Sequence, residues 1–177
     1  DFFIKEKGDS KKLFITVADA AGKGISACLY SLVVRSMLRS SYTEHDDLAD
    51  IVLKANNLFC YDTADTGMFV TVLSTIFDPQ TKVLTYYSCG HNPGLIIRSN
   101  GQLEYLSTPG IAMGVIEYDS VEKKEKKLDS GDVIVLYTDG ITEAHNEKGE
   151  MYGESKLSNF MCNNYTHNLE YIASSLL

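Results

Sequence analysis

The sequence predicts an α+β fold with mainly antiparallel sheets, and three observations lead there. Two helix-periodic segments lie side by side near the start, short β-rich runs joined by turn residues fill the middle, and strict strand–helix alternation is absent. Strands joined by hairpins pair antiparallel, whereas a doubly wound parallel sheet needs a crossover between successive strands. The 177 residues fit one domain, 1–177, long enough to bury a sizeable core. No internal repeat, low-complexity tract or linker divides the chain.

Asp1 precedes Phe2-Phe3-Ile4 and is placed to start a strand of its own. Lys12 to Ala18 is short, apolar and β-rich, and reads as a central strand ending at Asp19. The turn Ala20-Ala21-Gly22-Lys23-Gly24 follows. Ile25, Cys28, Leu29, Leu32 and Val33 then recur at the spacing of a helix with one buried face. Cys28 on that face is expected to be an ordinary buried thiol. A second helix starts after Asp46 and Asp47, whose carboxylates suit free backbone N–H groups, and places Leu48, Ile51, Val52, Ala55 and Phe59 on one side. Met68 to Phe77, Val83 to Cys89 and Gly94 to Arg98 are strand-like, and Asn100-Gly101 between apolar runs predicts a hairpin. A further strand covers Val133 to Tyr137, and a helix occupies much of the stretch from Ser155 onward.

Composition narrows the function. A net charge of −8 argues against a nucleic-acid binder, which needs a basic face. Glu122 and Glu125 interrupt the single basic cluster, Lys123, Lys124, Lys126 and Lys127, which reads as a solvated strand or loop. The cysteines Cys28, Cys60, Cys89 and Cys162 form no C-x-x-C pair, which disfavours zinc-ribbon and redox motifs. No run of about 18 apolar residues appears and Asp1-Phe2-Phe3-Ile4 lacks the basic-then-apolar layout of a signal peptide, so a cytoplasmic location with no membrane contact by this domain is the expectation. Both ends read as cuts inside a longer protein.

Acidic residues at the ends of apolar strands are where chemistry is expected, because a rigid strand aims a short carboxylate at a fixed point. Asp19 and Asp139 each end a strand and each precede a small residue, Ala20 and Gly140. With Asp1 they are the material of a magnesium or manganese site, since hard cations choose oxygen ligands. An Asp-Gly at a strand end is also an ordinary turn, and spacing alone leaves both readings open.

The local wording adds a resemblance. Asp19-Ala20-Ala21-Gly22-Lys23-Gly24 resembles the Asp-x-x-Gly-x-Gly turn of bacterial PPM-type (2C-like) phosphatases of the SpoIIE/RsbU kind. Thr66-Gly67-Met68-Phe69-Val70-Thr71, Cys89-Gly90-His91-Asn92-Pro93 and Leu136 to Ala144 are similar to later blocks in the same order, and Asp1-Phe2-Phe3 to the first. The resemblance implies two packed, mainly antiparallel sheets flanked by helices, and a metal-dependent protein-serine/threonine phosphatase holding two Mn²⁺ or Mg²⁺ ions. Asp19 would bridge the ions, Asp1 and the Ala20 carbonyl would help hold one, and Asp139 the other. Ala20 stands where eukaryotic relatives carry Gly, which a carbonyl ligand tolerates if φ is negative. The family's remaining acidic ligand has no match here and is expected beyond Leu177.

The chemistry so implied needs no protein nucleophile: a water activated by the two cations attacks phosphorus in line. Cys89 and Ser88 lack the setting of a nucleophile. His91 is the one tempting general acid, although a role fixing the Gly90-His91-Asn92-Pro93 turn is the better reading. His45, His145 and His167 read as surface residues, and Arg35, Arg39 and Arg98 have no motif marking a phosphate clamp. By resemblance, the substrate is a phosphorylated anti-sigma-factor antagonist and an upstream sensor domain signals through the helix pair between Gly24 and Tyr61; a homodimer is a separate possibility that the sequence leaves open. The alternatives are a non-catalytic PPM-like binding module and a hydrolase of small phosphates.

Overall fold

The β-rich start closes on itself as β1 (Phe2–Lys7) and β2 (Ser10–Ala20), an antiparallel pair in which Ile4 faces Leu13 and Phe2 faces Ile15. The computed structural model describes residues 2–7, 10–64 and 66–176. The chain forms two compact units: one runs to His91 and resumes at Ser107–Leu128, and the other comprises Asn92–Leu106 and Asp129 onward.

The first unit is a five-stranded antiparallel sheet with two helices on one face. After β2 come α1 (Ile25–Glu44) and α2 (Leu48–Thr63), then β3 (Val70–Asp78) and β4 (Val83–Cys89). The solvated basic segment becomes β7 (Lys124–Lys127), an edge strand on β4, so the sheet order is β1-β2-β3-β4-β7. Lysines on an edge strand discourage pairing with another chain. One sheet face carries Phe14, Val70, Val72, Ile76, Tyr87 and Cys89, and packs against the helices. Burying each of the Phe, Val and Ile side chains among them contributes about 1.5–3 kcal/mol.

The second helix matches expectation closely. Asp47 is its N-cap, accepting a 2.7 Å hydrogen bond from the Ala49 N–H, and Leu48, Ile51, Val52, Ala55 and Phe59 are all buried. Asp46 instead pairs with Lys5 at 2.8 Å.

The first helix turns its expected inner stripe outward. Ile25 is 81% exposed, Leu29 56% and Leu32 51%, and Cys28 is exposed rather than buried. The buried residues are Val34, Leu38, Ser41 and Tyr42. At about 100° per residue the two stripes lie on nearly opposite sides of the helix. Periodicity reports that an apolar stripe exists, and packing chooses which one is covered. Here the choice falls on the stripe ending at Tyr42, whose ring stacks on Phe14 of β2 with centroids 4.6 Å apart.

The second unit is a three-stranded antiparallel sheet, β6-β5-β8, made of β5 (Gly94–Ile97), β6 (Leu103–Leu106) and β8 (Val133–Val135). The predicted hairpin is present, with Gly101 at φ 83° between β5 and β6. Arg98 ties its base through Glu104 at 2.6 Å and Asp132 at 2.8 Å, and so serves the fold rather than a phosphate. The last predicted strand is shorter than expected: it stops at Val135, and Asp139 opens the one-turn helix α3 (Asp139–Thr142). The predicted final helix is two, α4 (Glu154–Asn164) and α5 (Leu169–Leu176), broken where the polar run Asn163 to Asn168 has weak helix propensity. Leu157, Met161 and Ile172 from these helices pack with Leu95, Ile97 and Tyr137.

Candidate functional site

Asp19 and Ala20 are the last two residues of β2, held in register opposite Thr71 and Val70 of β3. The Ala21 N–H continues the ladder by donating to the Phe69 carbonyl at 2.9 Å. Val70 in turn exchanges hydrogen bonds of 3.0 and 2.9 Å with Met113, so the strand end beside Asp19 is braced on its far side. Among the described non-glycine residues only Lys82 has positive φ, so Ala20 sits in ordinary extended backbone and its carbonyl is available without strain.

Gly22 and Gly24, at φ 94° and 80°, make the reversal from β2 into α1 that a side chain would resist. Lys23 between them is exposed.

Asp19 is half-buried, and among the described residues its carboxylate has no hydrogen-bond or ion-pair partner. Asp139, in the other unit, is also half-buried with a carboxylate lacking such a partner among the described residues. Its main chain is committed, the carbonyl accepting from Glu143 N–H at 2.7 Å and from the Thr142 hydroxyl at 3.2 Å. Asp139 is thus the first residue of a short helix, not a plain Asp-Gly turn. Asp1 lies outside the described residues. Among those described, no group of three or more His, Cys, Asp or Glu forms a cluster able to hold a metal. Asp19 and the Ala20 carbonyl in the first unit, and Asp139 in the second, each offer hard oxygens, and among the described residues neither carboxylate has a hydrogen-bond or ion-pair partner; donors of this chemistry suit Mg²⁺ or Mn²⁺.

The expected non-participants behave accordingly. Cys89 is fully buried, and burial pushes its thiol up to about 12, which leaves it protonated and inert. The Ser88 hydroxyl is committed to the turn, donating to the His91 carbonyl and accepting from the His91 N–H, both at 3.1 Å. The turn role of His91 is therefore present. One contact was not foreseen: His91 Nδ1 lies 2.8 Å from the Thr71 hydroxyl, which stands 3.4 Å from the Asp19 carbonyl. Thr71 and His91 occur in two separate sequence blocks, and only the sheet brings them together.

A loop that sequence reasoning passed over completes this end of the first unit. Buried Asn56 donates to the Ile116 carbonyl at 2.9 Å and accepts from the Gly114 N–H at 3.2 Å, while Asn57 donates to and accepts from the Tyr118 backbone at 3.0 and 2.8 Å. At Gly114 a Cβ would lie 2.8 Å from the Phe59 ring, so glycine lets the loop reach α2. A separate cleft of about 420 Å³, lined by Lys12, Asp47, Thr85, Lys123 and Glu125, opens near the other end of β2. Seven residues at about 3.3 Å each put Lys12 roughly 23 Å from Asp19, so this cleft is not where Asp19 works.

The α+β fold, with antiparallel sheets and helices in this order, is that of PP2C-type (PPM) phosphatase domains. It superposes on the SiaA-PP2C domain of Pseudomonas aeruginosa with a TM-score of 0.82 at 18% identity, covering 99% of this chain and 70% of that one. The crystal structure of RsbX in complex with magnesium matches with a TM-score of 0.68 at 19% identity, covering 99% and 77%. The family model for Stage II sporulation protein E (SpoIIE) matches residues 9–177, and the chain belongs to that family. It is 28% identical over 179 residues to phosphoserine phosphatase RsbU of Bacillus subtilis (strain 168), covering 99% of this chain and 52% of that protein. The chain thus spans about half the length of that curated relative.

Proposed function

We propose that this chain is the catalytic domain of a metal-dependent protein phosphatase hydrolysing phosphoserine or phosphothreonine, its two compact units acting as one domain. The observation that carries the reading is the pair Asp19 and Asp139. Both are half-buried in family sequence blocks, and neither carboxylate has a hydrogen-bond or ion-pair partner among the described residues. Asp19, with Asp1 and the Ala20 carbonyl, would hold Mn²⁺ or Mg²⁺, and Asp139 would contribute a further carboxylate. When bound, such ions lower the pKa of a water and offset charge on phosphoryl oxygens. The chain's own part is to hold Asp19 and Ala20 at a rigid strand end and Asp139 at a helix start. Buried Cys89 and the committed Ser88 are not placed to act as nucleophiles, which agrees with direct attack by water.

The likeness to a phosphoserine phosphatase supports a phosphorylated protein as substrate. An anti-sigma-factor antagonist in a bacterial partner-switching pathway is the particular substrate proposed, with cytoplasmic location following from it. The exposed stripe Ile25, Leu29, Leu32 and Val33 on α1 supports regulation through the helix pair by an upstream sensor domain or a second copy.

The test is Mn²⁺-dependent hydrolysis of an aryl phosphate, and of phosphoserine peptides, by the full-length protein beside Asp19→Asn. Activity that requires Mn²⁺ and falls by orders of magnitude in the variant supports the reading. A parent that neither hydrolyses phosphoesters nor binds Mn²⁺ in a calorimeter would assign the chain to the non-catalytic binding modules instead.

A further inference from the structure

We propose that His91 and Thr71 are positioning residues for the cation site, acting through the main chain of Asp19. The proposal rests on the phosphatase reading above and deepens it. Thr71 lies directly across the ladder from Asp19, and its hydroxyl has two neighbours, His91 Nδ1 at 2.8 Å and the Asp19 carbonyl at 3.4 Å. A hydroxyl carries one proton. If Thr71 donated to Nδ1, nothing would remain for the carbonyl. If Nδ1 carries the proton and donates to Thr71 Oγ1, the threonine proton is directed at Asp19 O. The geometry therefore assigns the Nδ1–H tautomer to His91 and a relay from imidazole to hydroxyl to carbonyl.

The relay has a rigid base. His91 is buried, and its backbone is clamped by Ser88 through the two 3.1 Å bonds. Ser88 is clamped in turn, its N–H donating to the Thr108 hydroxyl at 2.8 Å. The other end is the peptide joining Asp19 to Ala20. Turning that peptide moves both oxygens the site uses, the Asp19 carboxylate through its Cα and the Ala20 carbonyl through the next bond. At 3.4 Å the hydroxyl–carbonyl contact is long for a hydrogen bond, so the relay adds aim to a strand end that the ladder already holds. Groups of this kind set ligand orientation around metal sites, and their loss costs about 10–100-fold in metal affinity.

Two measurements test this on the full-length protein. The first needs no metal: ¹⁵N–¹H correlation spectra of the histidine ring report which nitrogen is protonated. An Nδ1–H His91 is expected, and an Nε2–H tautomer overturns the relay. The second is the Mn²⁺ dissociation constant by calorimetry for Thr71→Val, Thr71→Ser, His91→Gln, His91→Asn and Asp19→Asn, each checked for parental thermal unfolding. Thr71→Val keeps the shape and loses the proton, and is expected to weaken Mn²⁺ binding about tenfold. Thr71→Ser restores binding, and His91→Asn, which can offer a donor near the Nδ1 position, does so better than His91→Gln. Parental Mn²⁺ affinity in Thr71→Val and His91→Gln, with binding lost in Asp19→Asn, sinks the relay alone. Undiminished binding in Asp19→Asn sinks the cation-site reading, and the relay with it. If Thr71→Val fails to fold, the contrast between His91→Asn and His91→Gln decides by the same criterion.

Discussion

Leu32 and Leu38 occupy the same helix, and replacing each by alanine separates the two stripes of α1. Leu38 is 1% exposed and Leu32 51%. Removing a fully buried leucine side chain loses its transfer energy and leaves a cavity, for about 2–5 kcal/mol in total. Truncating an exposed one changes stability by about 0.5 kcal/mol or less. The chemical change is identical and the helix is shared, so propensity and unfolded-state effects largely cancel. The expected difference between the variants is therefore about 1.5 kcal/mol or more. At a urea m-value of about 2 kcal/mol/M, Leu38→Ala lowers the midpoint by about 1 M or more while Leu32→Ala stays near the parent. The assay is urea unfolding of this chain at 25 °C, followed by circular dichroism, with m-values compared to confirm that both unfold alike. Equal losses in the two variants, or a larger one for Leu32→Ala, would show that the stripe beginning at Ile25 is the one the sheet covers.

Asn56→Ala leaves the Gly114 N–H and Ile116 carbonyl without their partner; because both partners are only partly buried, a loss of about 1–3 kcal/mol is expected, and urea unfolding within about 0.5 kcal/mol of the parent would refute the anchoring of this loop by Asn56. With a thiol-specific reagent on the native protein, exposed Cys28 should react first and Cys28→Ser should remove that phase, while Cys89 reacts only on unfolding. Rapid modification of Cys89 in the folded state would contradict its burial. The Lys123 hydrogen bond, with smaller help from the Ala49 N–H, holds the Asp47 carboxyl below its usual range against the opposing effect of burial. A depressed folded pKa means stability present above the unfolded value near 4 and lost as pH falls through the folded value. Asp47→Asn, which keeps a cap acceptor, should flatten that part of the acid unfolding curve; an unchanged curve below pH 4 would exclude Asp47 as its source.

Much of the framework was legible because it depends on neighbours in sequence. The α2 face, a carboxylate at its start and the hairpin at Asn100-Gly101 follow from local spacing and turn chemistry, which act within a few residues, whereas the lysine segment stayed open between strand and loop. The candidate aspartates were legible for the same reason: Asp19 ends an apolar run and Asp139 follows one, inside recognisable blocks. Where two local patterns competed, sequence could not choose. The α1 helix carries apolar stripes on nearly opposite sides, and the sheet covers the one reaching Tyr42 because Phe14 of β2 lies there to stack on it. The strand before Asp139 looked longer than it is because Leu136 and Tyr137 are apolar whether or not they pair.

What only the tertiary structure decided are the contacts between distant segments. Thr71 meets His91 across 20 residues and Asp19 across 52, and Asn56 reaches Gly114 across 58. No spacing rule encodes such pairs, because strand register and helix docking, set by burial of the whole first-unit core, bring those atoms within hydrogen-bonding reach. The sequence by itself determined the fold class, the family and the carboxylates available to a cation. The packed chain determined which backbone holds them still.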